Sequence, residues 1–187
     1  MSDSIPLPRR RSIRLQSFDY SHPGSYFVTI LSHDARHIFG ELILGRMKLS
    51  RIGNVVSDCC LDIPNHFSGI ELGDFIVMPN HVHGIIRIRA RARHAVPLQS
   101  QAGKVEAFGS PRAASVPTIV RSFKSVVSQR ARKALGRLDA RIWQRNYFER
   151  VIRNEREFHK VRHSIAENPA RWEFEKDKLD EPPVFDL

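Results

Sequence analysis

The sequence predicts an α+β fold: an antiparallel sheet with helices packed on one face, compatible with a ferredoxin-like βαββαβ core. Three observations predict it. Short β-branched and aromatic runs at 26–31, 70–78 and 81–89 read as strands, and apolar residues recur at helical spacing over 50–63, 118–136 and 155–167. These segments follow the order strand, strand, helix, strand, strand, helix, short strand, helix, which suits an antiparallel sheet better than a parallel one. The chain has 187 residues, close to one average domain of ~150. That is enough to bury a core without disulfides or metals.

Residues 1–19 form a basic arm. Arg9, Arg10, Arg11 and Arg14 stand beside Pro6 and Pro8 with no periodic apolar face. Such a segment suits an extended contact with a phosphate backbone, and equally a solvated tail. Gly24-Ser25 leads into Tyr26–Leu31, the first strand, and Ile38–Ile43 is a second, shorter one. From Ser50, the positions Ile52, Val55, Val56, Cys59, Cys60 and Ile63 mark a helix that Pro64 and Gly69 end. Ile70–Met78 is the third strand, Pro79-Asn80 the break, and His81–Arg89 the fourth strand. Residues 90–117 carry Pro97, Pro111 and Pro117 among Ala, Gly, Ser and Gln, the composition of a flexible insertion. The next helix spans 118–136, with Ile119, Val120, Phe123, Val127 and Ala131 on its apolar stripe and Gly136 as its stop. Ile142-Trp143-Gln144 is a short final strand. Asn154 caps a last helix over 155–167, with Phe158, Val161 and Ile165 inward, and Asn168-Pro169 ends it. The domain runs over 20–175, followed by a charged tail, 176–187.

Lys plus Arg is 30 against 20 Asp plus Glu, a net charge of +10. A field of that sign attracts polyanions, and nucleic acid is the leading partner. An anionic membrane surface needs a basic amphipathic helix with a bulky apolar face, and none is present. No apolar run reaches the ~18–20 residues of a membrane span, and the N-terminus lacks a secretory apolar region. Cys59 and Cys60 are adjacent. Neighbouring cysteines make neither a disulfide scaffold nor a CxxC zinc pair, which points to the cytoplasm. Arg87, Arg89, Arg91 and Arg93 alternate; a continued strand would turn all four to one face, toward phosphates or toward solvent. Arg121 and Lys124 make the 118–136 helix basic.

The strongest local feature is Met78-Pro79-Asn80-His81-Val82-His83. Residues two apart on a strand share a face, so His81 and His83 aim both imidazoles at one point while Val82 turns to the core. Two neutral ring nitrogens completed by carboxylate or amide oxygens suit magnesium or manganese. A His-x-His pair alone is equally compatible with a structural role. His159 and His163, four apart on the last helix, could join the metal site or read as solvated or DNA-facing.

The motif does not stand alone. Downstream come Trp143-Gln144-Arg145-Asn146-Tyr147-Phe148-Glu149, then Ile152-Arg153-Asn154-Glu155-Arg156-Glu157, then Ile165, Asn168-Pro169, Arg171 and Trp172. With Tyr26-Phe27-Val28-Thr29 and Phe39-Gly40 upstream, this series resembles the single-tyrosine HUH transposases, specifically the REP-associated tyrosine transposases, over roughly 20–175. The resemblance implies metal-dependent nicking and rejoining of single-stranded or hairpin DNA through a covalent protein–DNA intermediate, by a monomer or a homodimer. It implies that His81 and His83 hold the metal and that Asn168 is a polar third ligand. It places the nucleophile on the C-terminal helix one turn earlier, at Ser164, where the family has tyrosine. Positions four apart share a helix face. Serine lacks the reach and the phenolate leaving group of tyrosine. Tyr20 lies in the arm region and Tyr26 on a core strand, which leaves Tyr147 as the substitute nucleophile.

Three functions are compatible with these residues. The first is an active DNA strand-transferase using Ser164 or Tyr147. The second is a binding module of the same fold that has lost cleavage, with Arg9, Arg10, Arg11, Arg87, Arg89, Arg121 and Lys124 supplying phosphate contacts. The third is a metal hydrolase acting on nucleotides with water as the attacking group.

Overall fold

Four strands and three long helices enclose two apolar layers in the computed structural model, which describes residues 19–90, 115–136 and 141–175. Arg9, Arg10 and Arg11, most of the 90–117 insertion with Arg91 and Arg93, and the tail 176–187 lie outside the described residues. Strand β1 (Gly24–Leu31) is followed by a small ribbon of β2 (Gly40–Ile43) and β3 (Arg46–Leu49). Helix α1 (Arg51–Leu61) and the short α2 (Ile63–His66) lead to β4 (Ile70–Val77) and β5 (His81–Ile88). Helix α3 (Val116–Leu135), β6 (Phe148–Ile152) and α4 (Glu155–Glu175) complete the order. The sheet runs β4-β5-β1-β6, with each neighbouring pair antiparallel. Reading β1, α1, β4, β5, α3, β6 in sequence gives the βαββαβ arrangement expected from the element order.

β1 is apolar on consecutive positions because both sheet faces are covered. Tyr26, Val28 and Ile30 pack with Val56, Cys59 and Cys60 of α1 and with Ile119, Val120, Phe123 and Val127 of α3. Phe27 points the other way, to Ile85, Ile152, and Val161 and Ile165 of α4. α1 and α3 thus share one face and α4 takes the other. Burying Val161 and Ile165 supplies ~1.5–3 kcal/mol each. The Arg162–Asp74 ion pair at 2.7 Å, with both side chains substantially exposed, adds ~0–1 kcal/mol. The apolar stripe, not the ion pair, docks α4.

Several elements differ from the sequence reading. After α1, a short helix α2 runs through Pro64 to His66, beyond the expected helix end. The second strand begins at Gly40 rather than Ile38, and its partner β3 has no counterpart in the expected order. The chain reverses at Leu44-Gly45, where a leucine stands in place of the usual Asn or Asp. Ile142–Gln144 is not the final strand. It makes one bridge, Ser32 to Trp143, with the Gln144 N–H donating to the Leu31 carbonyl at 3.0 Å. The fourth sheet strand is Phe148–Ile152, whose charged Glu149 and Arg150 hide the alternation. Finally, α4 passes through Pro169 to Glu175. Proline deletes one N–H and the partner of the carbonyl four residues back. Contacts of Trp172, beyond the proline, with His37 and His81 hold the last turns in place.

The caps agree with the sequence. Asn154 Oδ1 accepts the Glu157 N–H at 2.9 Å, and Gly136 closes α3 in the left-handed conformation at φ 63°. α3 begins at Val116, so the end of the 90–117 stretch is helical.

Candidate metal and nucleic-acid site

The turn that carries the histidine motif is held from two sides. Met78 N–H donates to the His81 carbonyl at 2.8 Å, closing the β4–β5 connection. Ser32 N–H donates to the Asn80 carbonyl at 2.7 Å, and Phe39 N–H donates to the Pro79 carbonyl at 3.0 Å. Met78 is fully buried, and Asn80 is 9% exposed. Such a backbone leaves the following side chains little freedom.

His81 and His83 lie on the α4 face of β5, opposite Leu31 and Thr29 of β1. Their rings sit 4.4 Å apart between centroids at 65° to one another, so they converge as the pattern predicts. Each has a neighbour that fixes its orientation. His81 Nδ1 is 2.6 Å from Asn80 Oδ1. An amide oxygen only accepts, so Nδ1 carries the proton and Nε2 presents its lone pair. His83 Nδ1 is 2.8 Å from the Thr29 hydroxyl, which assigns Nε2 as its candidate ligand atom. Phe27 stacks against His83 at 5.3 Å.

Burial pushes His81 down from 6.5 to about 4, while the neighbouring Asn168 side chain opposes that shift. Burial also holds His83 well below 6.5, and the His81 charge acts in the same direction. Both rings are therefore neutral near pH 7, the state a metal requires. Asn168 reaches this point from α4, four residues after Ser164. Among the described residues neither His81 Nε2 nor Asn168 Oδ1 meets a hydrogen-bond partner, though both atoms are buried. Unpartnered buried polar atoms are costly unless a ligand or water meets them. Two imidazole nitrogens and an amide oxygen fit a divalent cation. Among the described residues no group of three His, Cys, Asp or Glu side chains forms a metal cluster; the third candidate donor beside His81 and His83 is the Asn168 amide.

The other expected residues fall into distinct places. Ser164 is half-buried on α4, one turn before Asn168. Tyr147 is not brought to the histidines: it packs against the core on the α1/α3 side, with the Lys124 ammonium 5.6 Å above its ring. Tyr20 and Tyr26 are core residues at 4% and 1% exposure. Lys124 Nζ donates to the carbonyls of Gln144 and Asn146, both at 2.9 Å. It anchors the loop before β6, and burial lowers its pKa to about 8. Arg87 and Arg89 both pair with Glu71, and Arg87 also lies 5.2 Å over the Phe158 ring. Arg121 is exposed on α3. His163 pairs with Glu167 at 2.9 Å and His159 with Glu155 at 3.7 Å, all on the outer side of α4.

Sequence reasoning gave Asn80 only a turn role, and Thr29 and Trp172 only a place in the motif series. Thr29 and Asn80 orient the rings, and Trp172 packs 5.7 Å from His81 and 5.3 Å from exposed His37. Thr29 was hidden because only the β1–β5 register, Thr29 opposite His83, brings it there.

No protein-family profile matches the chain. An uncharacterised protein of Haemophilus influenzae is 37% identical over 169 residues, covering 89% of this chain and 92% of that protein. The two chains belong to one family. Among solved structures, that of a REP-associated tyrosine transposase bound to a REP hairpin superposes with a TM-score of 0.53 at 15% identity, covering 88% of this chain and 74% of that one. This chain has the REP-associated tyrosine transposase fold. No helix among the described residues is long and apolar enough to cross a membrane.

Proposed function

We propose that this protein binds hairpin or single-stranded DNA and grips one of its phosphates at a divalent-metal site formed by His81, His83 and Asn168. The observation that carries the reading is the pair of buried, unpartnered donors His81 Nε2 and Asn168 Oδ1 beside a second neutral imidazole. A net charge of +10 supports a polyanionic partner, and the structural neighbour was determined bound to a REP hairpin. Magnesium or manganese, when bound, would supply Lewis-acid polarisation of the phosphate. The chain's own groups orient the ligands: Asn80 and Thr29 set the rings, and α4 carries Asn168 to them.

None of the three tyrosines lies on α4. That favours the binding module, with tyrosyl nicking and rejoining lost. A second reading keeps strand transfer and rests on Ser164, which shares the helix face of Asn168. Its Oγ would bond to phosphorus, the bond to the 3′ oxygen would break, and the serine proton would end on that oxygen.

One experiment separates the two. The full chain is incubated with a labelled DNA hairpin and manganese, then run on native and denaturing gels. The expected result is a native complex that requires manganese and is lost in His81→Ala, with no covalent adduct. Ser164→Tyr is expected to produce an adduct. An adduct in the wild type that disappears in Ser164→Ala would establish strand transfer instead. Unchanged manganese affinity in His81→Ala would overturn the metal assignment, and absence of any complex would overturn DNA binding.

A further inference from the structure

The β2–β3 ribbon combines a rigid root with a strained, exposed apolar tip. At the root, the fully buried Phe39 donates its N–H to the Pro79 carbonyl in the histidine turn, and its carbonyl accepts the Ser50 N–H at 2.9 Å. Ser50 Oγ donates to the Ile38 carbonyl at 2.7 Å and caps α1. A Cβ on Gly53 would lie 1.9 Å from the Phe39 carbonyl oxygen, so α1 and the root are in direct backbone contact. The ribbon is thus fixed to the turn that presents His81. From Gly40 it extends about 13 Å to its tip, at ~3.3 Å per residue.

The tip is a two-residue turn between Ile43 and Arg46, with Leu44 at φ 48° and Gly45 at φ 71°. Both central residues have positive φ, the geometry that favours Asn-Gly. A leucine there is strained, because its Cβ crowds the backbone. Leu44 is also 92% exposed and its neighbour Ile43 43%. Among the described residues Leu44 belongs to neither apolar cluster, and its conformation works against the fold. Arg46 is exposed along β3 and Arg51 opens α1, while Lys48 pairs with Glu41 across the ribbon at 3.6 Å. Backbone strain persists where surrounding structure over-determines it, often at sites of recognition. An apolar tip flanked by cations matches the way leucine wedges enter unstacked bases while phosphates are neutralised beside them.

We infer that the β2–β3 ribbon is a DNA-contacting finger, whose Leu44 side chain packs against nucleobases at the unstacked end of a DNA hairpin. This rests on the DNA-binding reading above.

The test uses the full chain, a fluorescein-labelled DNA hairpin with 2-aminopurine in its loop, and Leu44→Asn. Relief of the turn is expected to raise Tm by about 3 °C. Hairpin affinity is expected to fall about tenfold, with the salt slope unchanged because no phosphate contact is lost. The 2-aminopurine signal should change on binding wild type and stay flat with the variant. Arg46→Ala is expected to lower the salt slope instead. Unchanged affinity in a stabilised Leu44→Asn protein would overturn the finger while leaving DNA binding intact. A wild type that binds no hairpin would remove both. A wild-type dimer that Leu44→Asn dissociates, with unchanged DNA affinity per chain, would assign the tip to self-association and overturn the inference. A lowered Tm would refute the strain on which it stands.

Discussion

At His81 burial ties stability to protonation. The side chain is 3% exposed and its pKa is lowered from 6.5 to about 4. The unfolded chain therefore binds a proton on this ring between those values when the folded chain does not. Stability contributed by the neutral buried ring is present above pH 6.5 and is lost as pH falls toward 4. The shift corresponds to about 3 kcal/mol. Urea titrations of the metal-free protein from pH 7 to 4 are expected to show a loss larger than that, because buried His83 is shifted in the same direction. His81→Ala should reduce this part of the profile without abolishing it, since His83 remains. The position of His81 and His83 was legible because strand periodicity alone turns both to one face. Their orienting partners were only half legible. Asn80 adjoins the motif, whereas Thr29 is 54 residues away in sequence from His83. Tyr147 illustrates the opposite failure. Its sequence position near β6 says nothing about which side of the sheet it enters, and it enters the side away from the histidines.

α4 completes the candidate site, since it carries Asn168 and Trp172. Its start was readable from Asn154, and its inward stripe from the spacing of Phe158, Val161 and Ile165. Its end was not, because local chemistry at Asn168-Pro169 favours a stop while distant contacts favour continuation. Phe158, Val161, Ile165, Asn168 and Trp172 advance by three and four residues, so one face runs through the proline without a phase change. The cost of the proline is therefore borne by the helix rather than avoided. Pro169→Ala restores an N–H donor for the Ile165 carbonyl. Proline is ~3 kcal/mol worse than alanine in a helix interior, and ~0.4–1 kcal/mol of that is returned by the stiffer unfolded chain. A net gain of about 2 kcal/mol is expected in chemical denaturation. Unchanged stability would mean that the carbonyl already has another partner. The β2–β3 ribbon was half legible for a related reason: its apolar alternation is visible, but its turn residue is not one that turns select for the fold's benefit.

At the scale of the whole molecule, formal charge overstates what is available to a polyanion. The net of +10 counts every arginine equally, yet the structure ties several of them down. Glu71, on edge strand β4, meets both Arg87 and Arg89; Asp62 holds Arg130 at 2.9 Å and Asp74 holds Arg162. The expected basic stripe beginning at Arg87 is thus neutralised in part by one carboxylate, which the sequence could not reveal because Glu71 becomes a neighbour only through the β4–β5 register, opposite Arg87. Exposed ion pairs contribute ~0–1 kcal/mol to folding, so breaking this one should not unfold the chain. Its effect should appear in binding. Each phosphate neutralised by a cation adds ~0.9 to the dependence of log affinity on log salt for duplex DNA and ~0.7 for single strands. If Arg87 and Arg89 reach DNA, Glu71→Gln releases two guanidinium groups and is expected to tighten hairpin binding several-fold at low salt. The salt slope should steepen by about one to two. Anisotropy titrations across a salt series measure both quantities. An unchanged slope with unchanged Tm would show that the β4–β5 edge faces away from the nucleic acid. The phosphate contacts would then have to come from elsewhere, including Arg46 and Arg51 at the ribbon and Arg121 on α3.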